Sequence, residues 1–190
     1  MDVFGRLAPF IQDFIYQNKW EELHGNQVAA CEVIFDSDDN LLLSSGTASG
    51  KTEAAFLPVL TEIYNKPSRS VGVMYISPLK ALINDQFKRL EQLLIDSNIP
   101  VTKWHGDASV DRKNKLMKNP EGILQITPES LESLITNKRG ACLEMFSDLR
   151  FIIIDEVHSF MRDVRGLQLL CVLERLKRLT GVNPRRVGLS

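Results

Sequence analysis

The stretch Leu41-Leu42-Leu43-Ser44-Ser45-Gly46-Thr47-Ala48-Ser49-Gly50-Lys51-Thr52 constrains this chain more than any other. An apolar run breaks off into small residues, which end in Gly-Lys-Thr ahead of a helix-forming segment. The physical reading is a buried strand, a tight loop and the N-terminus of a helix. In such a loop successive backbone N–H groups point inward and make a concave nest for phosphate oxygens. Gly50 lets the backbone approach the phosphates, because a Cβ there blocks them. Lys51 offers a compact cation to the β- and γ-phosphates, and the Thr52 hydroxyl is a ligand for Mg²⁺. Gly46, Thr47, Ala48 and Ser49 complete the cradle. The match to G-x-x-x-x-G-K-[ST] is incomplete, because Ser45 stands where the first Gly is expected.

Size supports one domain built around that loop: the chain has 190 residues, 44% of them hydrophobic. Lys and Arg number 23 against 24 Asp and Glu, a net charge of -1, so any basic surface for a polyanion is local. No apolar run is long enough to cross a bilayer and no signal-peptide h-region opens the sequence, so no membrane partner is expected. Cys31, Cys142 and Cys171 are odd in number and widely spaced. They fit buried thiols in a reducing cytoplasm better than a disulfide framework or paired zinc ligands.

Leu7, Phe10, Ile11, Phe14 and Ile15 recur at helical spacing, with Pro9 in the first turn. A second helical stretch carries Trp20, Leu23 and Gln27 and runs on to Ile34. Asp36-Ser37-Asp38-Asp39-Asn40 is a polar turn; it lacks the Gly and distal Glu of a calcium loop. After the phosphate loop, strands and helices alternate. Strands are expected over 71–77, 101–105, 122–126, 151–154 and 187–189. Helices are expected over 79–98, 109–118, from Thr127 onward, and over 166–180, the last with Leu167, Leu170, Cys171, Leu173 and Leu176 inside. Thr127-Pro128-Glu129 supplies an N-cap, a first-turn proline and a first-turn carboxylate. The alternation predicts an α/β fold with a mostly parallel sheet covered by helices on both faces.

The second chemical motif, Asp155-Glu156-Val157-His158, sits where the apolar strand 151–154 ends. Ligands of open α/β sheets gather at the carboxyl ends of the strands, so these acids and the phosphate loop share one rim. Asp155 is placed to hold Mg²⁺, and Glu156 to orient and deprotonate an attacking water. The bland alternative is a pair of acids capping a helix start.

Together, Ser45 to Thr52 and Asp155 to His158 resemble motifs I and II of superfamily 2 helicases. In that family Ser or Ala commonly replaces the first loop Gly. Gln27 resembles the upstream glutamine that reads adenine, with Trp20 and Leu23 beside the same pocket. Ser77-Pro78-Leu79-Lys80-Ala81-Leu82 is similar to motif Ia, Thr127-Pro128-Glu129-Ser130-Leu131 to motif Ib, and Trp104-His105-Gly106-Asp107 to the element between them. Asp155 to His158 with Arg165-Gly166 and a Leu-rich helix resembles the Lhr-like branch of the DEAD/DEAH-box helicases. Gly188-Leu189-Ser190 is similar to the run into motif III.

The resemblance implies a RecA-like ATP-binding lobe that takes ATP and Mg²⁺. It implies catalytic roles for Lys51, Asp155 and Glu156, and nucleotide contacts from Gln27, the residues Gly46 to Thr52, and His158. Metal ligation falls to Thr52 and Asp155. Contacts to DNA or RNA fall to Pro78, Lys80, Gly106, Asp107, Thr127, Pro128 and Glu129. A second RecA-like lobe, which supplies arginines to the γ-phosphate in that family, is absent from these residues, so a monomer with slow hydrolysis is expected. Two alternatives remain: a double-stranded DNA translocase using the same lobe, and a nucleotide-gated binding module without useful turnover.

Overall fold

The computed structural model describes residues 2–44, 46, 50–161 and 164–190. The apolar runs pair into one six-stranded sheet: β1 (Leu41–Leu43), β2 (Val73–Ile76), β3 (Val101–Trp104), β4 (Ile123–Ile126), β5 (Phe151–Ile154) and β6 (Arg185–Leu189). The order across it is β1-β6-β5-β2-β4-β3, and every pairing is parallel. The helices are α1 (Pro9–Gln17), α2 (Gly25–Asp36), α3 (Lys51–Asn65), α4 (Lys80–Leu93), α5 (Val110–Lys118), α6 (Pro128–Asn137), α7 (Arg139–Met145), α8 (Val157–Phe160) and α9 (Val164–Thr180).

Side chains alternate across the sheet, and both faces are covered, so the central strands must be apolar throughout. Val73 and Tyr75 join Leu43, Ile123, Phe151, Ile153 and Val187 in a core beneath α1, α2, α3 and the last turns of α4. Met74 and Ile76 join Leu124, Ile126 and Ile152 in a second core beneath α6, α7 and α9. The expected cap of α6 is present: Thr127 Oγ1 accepts from the Ser130 N–H at 3.3 Å and Pro128 takes the first helical position.

Four expectations are corrected. The strand ahead of the phosphate loop is not buried on both faces: β1 is an edge strand with β6 as its neighbour, and Leu42 is 64% exposed. Trp20 and Leu23 precede the second helix, which begins only at Gly25, where the Gln27 side chain accepts from the His24 N–H at 2.9 Å and closes the first turn. In α9 the buried residues are Leu169, Val172, Leu173 and Leu176, while Leu167, Leu170 and Cys171 face outward. Leucines occupy two helical phases there. The phase that adds Val172 to Leu169, Leu173 and Leu176 packs on the second core, and Gln168 and Arg175 flank it by donating to Glu132 of α6. Cys171 is thus an exposed thiol, whereas burial pushes the Cys31 and Cys142 thiols up to about 12 and about 11. Finally, α7 was not anticipated; Cys142 and Met145 anchor its short run to the second core.

Candidate functional site

Parallel pairing puts the carboxyl end of every strand on one edge of the sheet. In spatial order that rim carries the described residues after β1 (Ser44, Gly46 and Gly50 to Thr52), Ser190 after β6, Asp155 to His158 after β5, Ser77 to Lys80 after β2, Thr127 to Glu129 after β4, and His105 to Asp107 after β3. The two chemical motifs therefore occupy one half of the rim, and the three other sequence-predicted segments the other half.

In the first half, Gly50 is left-handed (φ 70°, ψ 25°) and passes straight into α3. A Cβ on Gly50 would lie 2.8 Å from Gln27 Nε2, so any other residue strains the left-handed backbone and displaces the Gln27 amide. Gln27 is 1% exposed; it closes the start of α2 and packs on the loop in the same stroke. Lys51 Nζ donates to Gly46 O at 3.3 Å, bridging the two ends of the loop. Thr52 Oγ1 accepts from Gln86 Nε2 at 3.3 Å, and Glu53 pairs with Arg89, so α4 braces the first turn of α3. A cleft of about 520 Å³ opens here, lined by Trp20, His24, Gln27, Gly50, Lys51, Thr52, Glu53 and Arg89. Leu23 does not line it, facing instead a neighbouring groove with Phe4, Ile15 and Tyr16. Thr47, Ala48 and Ser49 lie outside the described residues.

The acids stand on the same edge. Leu43 is level with Leu189, and Gly188 with Ile154, so Asp155 is level with Leu43 across two strand spacings, roughly 10 Å. Asp155 is buried, and both carboxylate oxygens are occupied: Oδ2 accepts from the Tyr75 hydroxyl and Oδ1 from the Glu156 N–H at 2.9 Å. Burial, then the neighbouring Asp155 charge, pushes the Tyr75 hydroxyl far above its ordinary pKa. Glu156 takes a left-handed backbone (φ 51°), a conformation costing a non-glycine residue ~1–2 kcal/mol, and turns the chain sharply into α8. His158 Nε2 lies 3.0 Å from Glu156 Oε2, and Nδ1 lies 3.3 Å from Ser190 Oγ. With its proton on Nε2, the imidazole donates to Glu156 and accepts from Ser190, linking the ends of β5 and β6.

The second half is held differently. Of the residues expected to face a polyanion, Lys80, Gly106, Asp107 and Glu129 are exposed, whereas Pro78, Thr127 and Pro128 are buried. Lys80 Nζ pairs with Asp107 at 3.0 Å and holds that carboxyl below the usual carboxylate range. Glu129 pairs with Arg165 at 2.6 Å. His105 is buried, and burial lowers its pKa. Among the described residues no group of three or more His, Cys, Asp and Glu side chains could hold a metal ion.

Sequence reasoning missed Tyr75, Gln86 and Arg89. Tyr75 was findable, because a hydroxyl inside the otherwise apolar run Val73-Met74-Tyr75-Ile76 demands a partner. Gln86 and Arg89 carry no such signal, being polar residues on a half-exposed helix.

The model of the DEAD/DEAH box helicase family matches residues 25–190. An ATP-dependent helicase Lhr-Core from Methanothermobacter thermautotrophicus is 37% identical over 167 residues, covering 80% of this chain and 19% of the relative. Among solved structures, the Mycobacterium smegmatis helicase Lhr bound to ssDNA and AMP-PNP superposes with a TM-score of 0.83 at 30% identity, covering 100% of this chain and 25% of that one. The DUF1998 helicase MrfA bound to DNA superposes with a TM-score of 0.86 at 28% identity, covering 97% of this chain and 26% of that one. The chain thus spans about a quarter or less of the length of these relatives.

Proposed function

We propose, for a chain that belongs to the DEAD/DEAH box helicases, that these 190 residues form the first RecA-like lobe of a helicase or translocase, binding ATP on one half of the rim and DNA or RNA on the other. The observation that carries the reading is the level placement of Asp155 and the end of β1, two strand spacings apart on a common edge. Family membership supplies the ATP-dependent chemistry; the roles of individual residues are our assignment.

Gly46 to Thr52 hold the phosphates, with the Lys51 ammonium moved from Gly46 O onto phosphate oxygens. Trp20 and Gln27 wall the cleft where the base enters. The oxygen-only donor set of Thr52 and Asp155 fits Mg²⁺ rather than a softer metal, and the hydrogen bonds from Tyr75 and the Glu156 N–H orient the Asp155 carboxylate for it. When bound, that ion neutralises charge on the phosphates. Glu156 orients water and takes its proton, and His158 fixes the Glu156 side chain while sensing the end of β6. The exposed Lys80, with Gly106 and the start of α6, lies against a sugar-phosphate backbone, contacts indifferent to base sequence. Such relatives are several times longer, and an arginine brought by another lobe is typically worth ~10³–10⁵ in rate. Residues 1–190 alone therefore hydrolyse ATP very slowly and do not unwind duplexes.

Titration with a fluorescent ATP analogue tests the reading. The wild-type chain binds, and Lys51→Ala weakens affinity by about tenfold or more, ~1.4 kcal/mol, with the fold unchanged. Equal affinities overturn it. Stimulation of ATPase by single-stranded rather than duplex nucleic acid, in a chain with both lobes, separates a helicase from a duplex translocase.

A further inference from the structure

One guanidinium ties three of the rim segments together. Arg165, in the first turn of α9, donates from Nη2 to Pro78 O at 3.1 Å and to Glu129 Oε1 at 2.6 Å, and from Nε to the same Glu129 oxygen at 3.1 Å. Pro78 follows β2, Glu129 opens α6 after β4, and Arg165 itself comes from the segment that follows β5. The contacts bridge 87 and 36 residues of sequence.

The base of this side chain is fixed as firmly as its tip. A Cβ on Gly166 would lie 1.9 Å from Phe160 O, a backbone atom, so only glycine lets the first turn of α9 press against the end of α8. Phe160 is itself buried in the second core. The guanidinium is therefore mounted on α9, whose first turn is wedged against the end of α8, the helix that carries His158 and follows Asp155 and Glu156.

We propose that Arg165 is the positioning residue through which the acidic, nucleotide-facing loop sets the geometry of the two polynucleotide-facing loops. The proposal rests on the helicase reading above, and adds the path by which one site informs the other. Two further features favour it. Arg165 neutralises Glu129, which otherwise presents a carboxylate to an approaching phosphate at a helix start. Lysine substitutes only in part, because a single ammonium lacks the rigid planar fork that holds a carbonyl and a carboxylate at once. Arg165 and Glu129 are 38% and 52% exposed, and an exposed pair of this kind contributes little to folding. The pair therefore acts on loop geometry more than on stability.

The test uses residues 1–190 as wild type, Arg165→Ala, Arg165→Lys and, as a variant on the partner, Glu129→Gln. Hydrogen exchange reads the clamp directly. In Arg165→Ala, amides of 77, 79–81 and 129–132 exchange several-fold faster while β5 and β6 are unchanged, and the unfolding midpoint barely moves. Affinity for a fluorescein-labelled single-stranded oligonucleotide, with and without AMP-PNP, reads the coupling. The wild-type ratio of the two affinities falls by about fivefold or more toward unity in Arg165→Ala, within the ordinary range of coupling between sites. Arg165→Lys and Glu129→Gln are intermediate, and AMP-PNP affinity in the absence of oligonucleotide is unaltered in Arg165→Ala. Unchanged exchange at both loops overturns the proposal, and so does an unchanged ratio. A wild type that binds AMP-PNP but no oligonucleotide overturns the polynucleotide half of the helicase reading instead, and the exchange result then decides for or against the clamp.

Discussion

The two halves of the rim are fixed by different means. On the nucleotide side, position is set by backbone conformation and by buried polar atoms: left-handed Gly50 and Glu156, Gln27 at 1% exposure, and Asp155 with both oxygens engaged. On the far side it is set by a helix cap at Thr127 and by exposed ion pairs, Lys80 with Asp107 and Arg165 with Glu129. Buried, fully partnered groups are costly to disturb, whereas exposed pairs are worth ~0–1 kcal/mol and weaken with salt. On the proposed reading, a face that grips and releases a long polyanion gains from contacts that exchange easily. A phosphate cradle does not.

That contrast sets the order of expected effects. The largest belongs to Glu156→Gln, which keeps size and hydrogen bonding but removes the base. In a chain with the complete motor, ATP binding persists while steady-state hydrolysis drops by ~10²-fold or more. Undiminished turnover would reduce Glu156 to the cap of α8 and erase the distinction between the halves. Tyr75→Phe comes next. It strips Asp155 Oδ2 of its buried donor, and urea unfolding should register a loss of ~1–3 kcal/mol. A change within error would show that water replaces the hydroxyl and that the acid is less enclosed than its burial suggests.

Smaller effects are expected across the rim. Thr127→Ala removes the cap of α6 and should cost ~1 kcal/mol by the same measurement, with nucleotide affinity untouched. Loss of nucleotide affinity there would mean the halves are not separable. Lys80→Ala is smallest. Lys80 depresses the Asp107 pKa in the folded state, so the pair contributes above the ordinary carboxylate range, near pH 3.9. Its contribution disappears as pH falls through the lowered folded value. A slight wild-type-minus-variant difference in unfolding midpoint at pH 7 should therefore vanish in acid and in high salt. A difference that persists in acid would assign Lys80 a packing role instead.

The sheet was legible because its central strands are buried on both faces, and Phe151 to Ile154 has no reading other than a strand. The motifs were legible because they fall where strands stop. What escaped the sequence was rotation and partnership. Leucines at 167, 169, 170, 173 and 176 allow two orientations of α9, and the one that packs on the second core adds Val172 to Leu169, Leu173 and Leu176. Edge position is equally invisible, because Leu41-Leu42-Leu43 looks the same with one neighbour as with two. Arg165 was visible as a residue but not as a bridge, since its partners lie 87 and 36 residues away.

The edge position of β1 also carries a kinetic consequence. Among the described residues β1 is the first strand in sequence and β6, the strand beside it, the last, and the Arg186 N–H reaches Asn40 across 146 residues. Closing so long a loop is entropically uphill before any contact rewards it, and such distant pairings form late. During synthesis β1 therefore waits with Leu42 and its unpaired edge in solvent, a template for mispairing. The segment that follows β1 acquires its frame only once β6 has paired beside it.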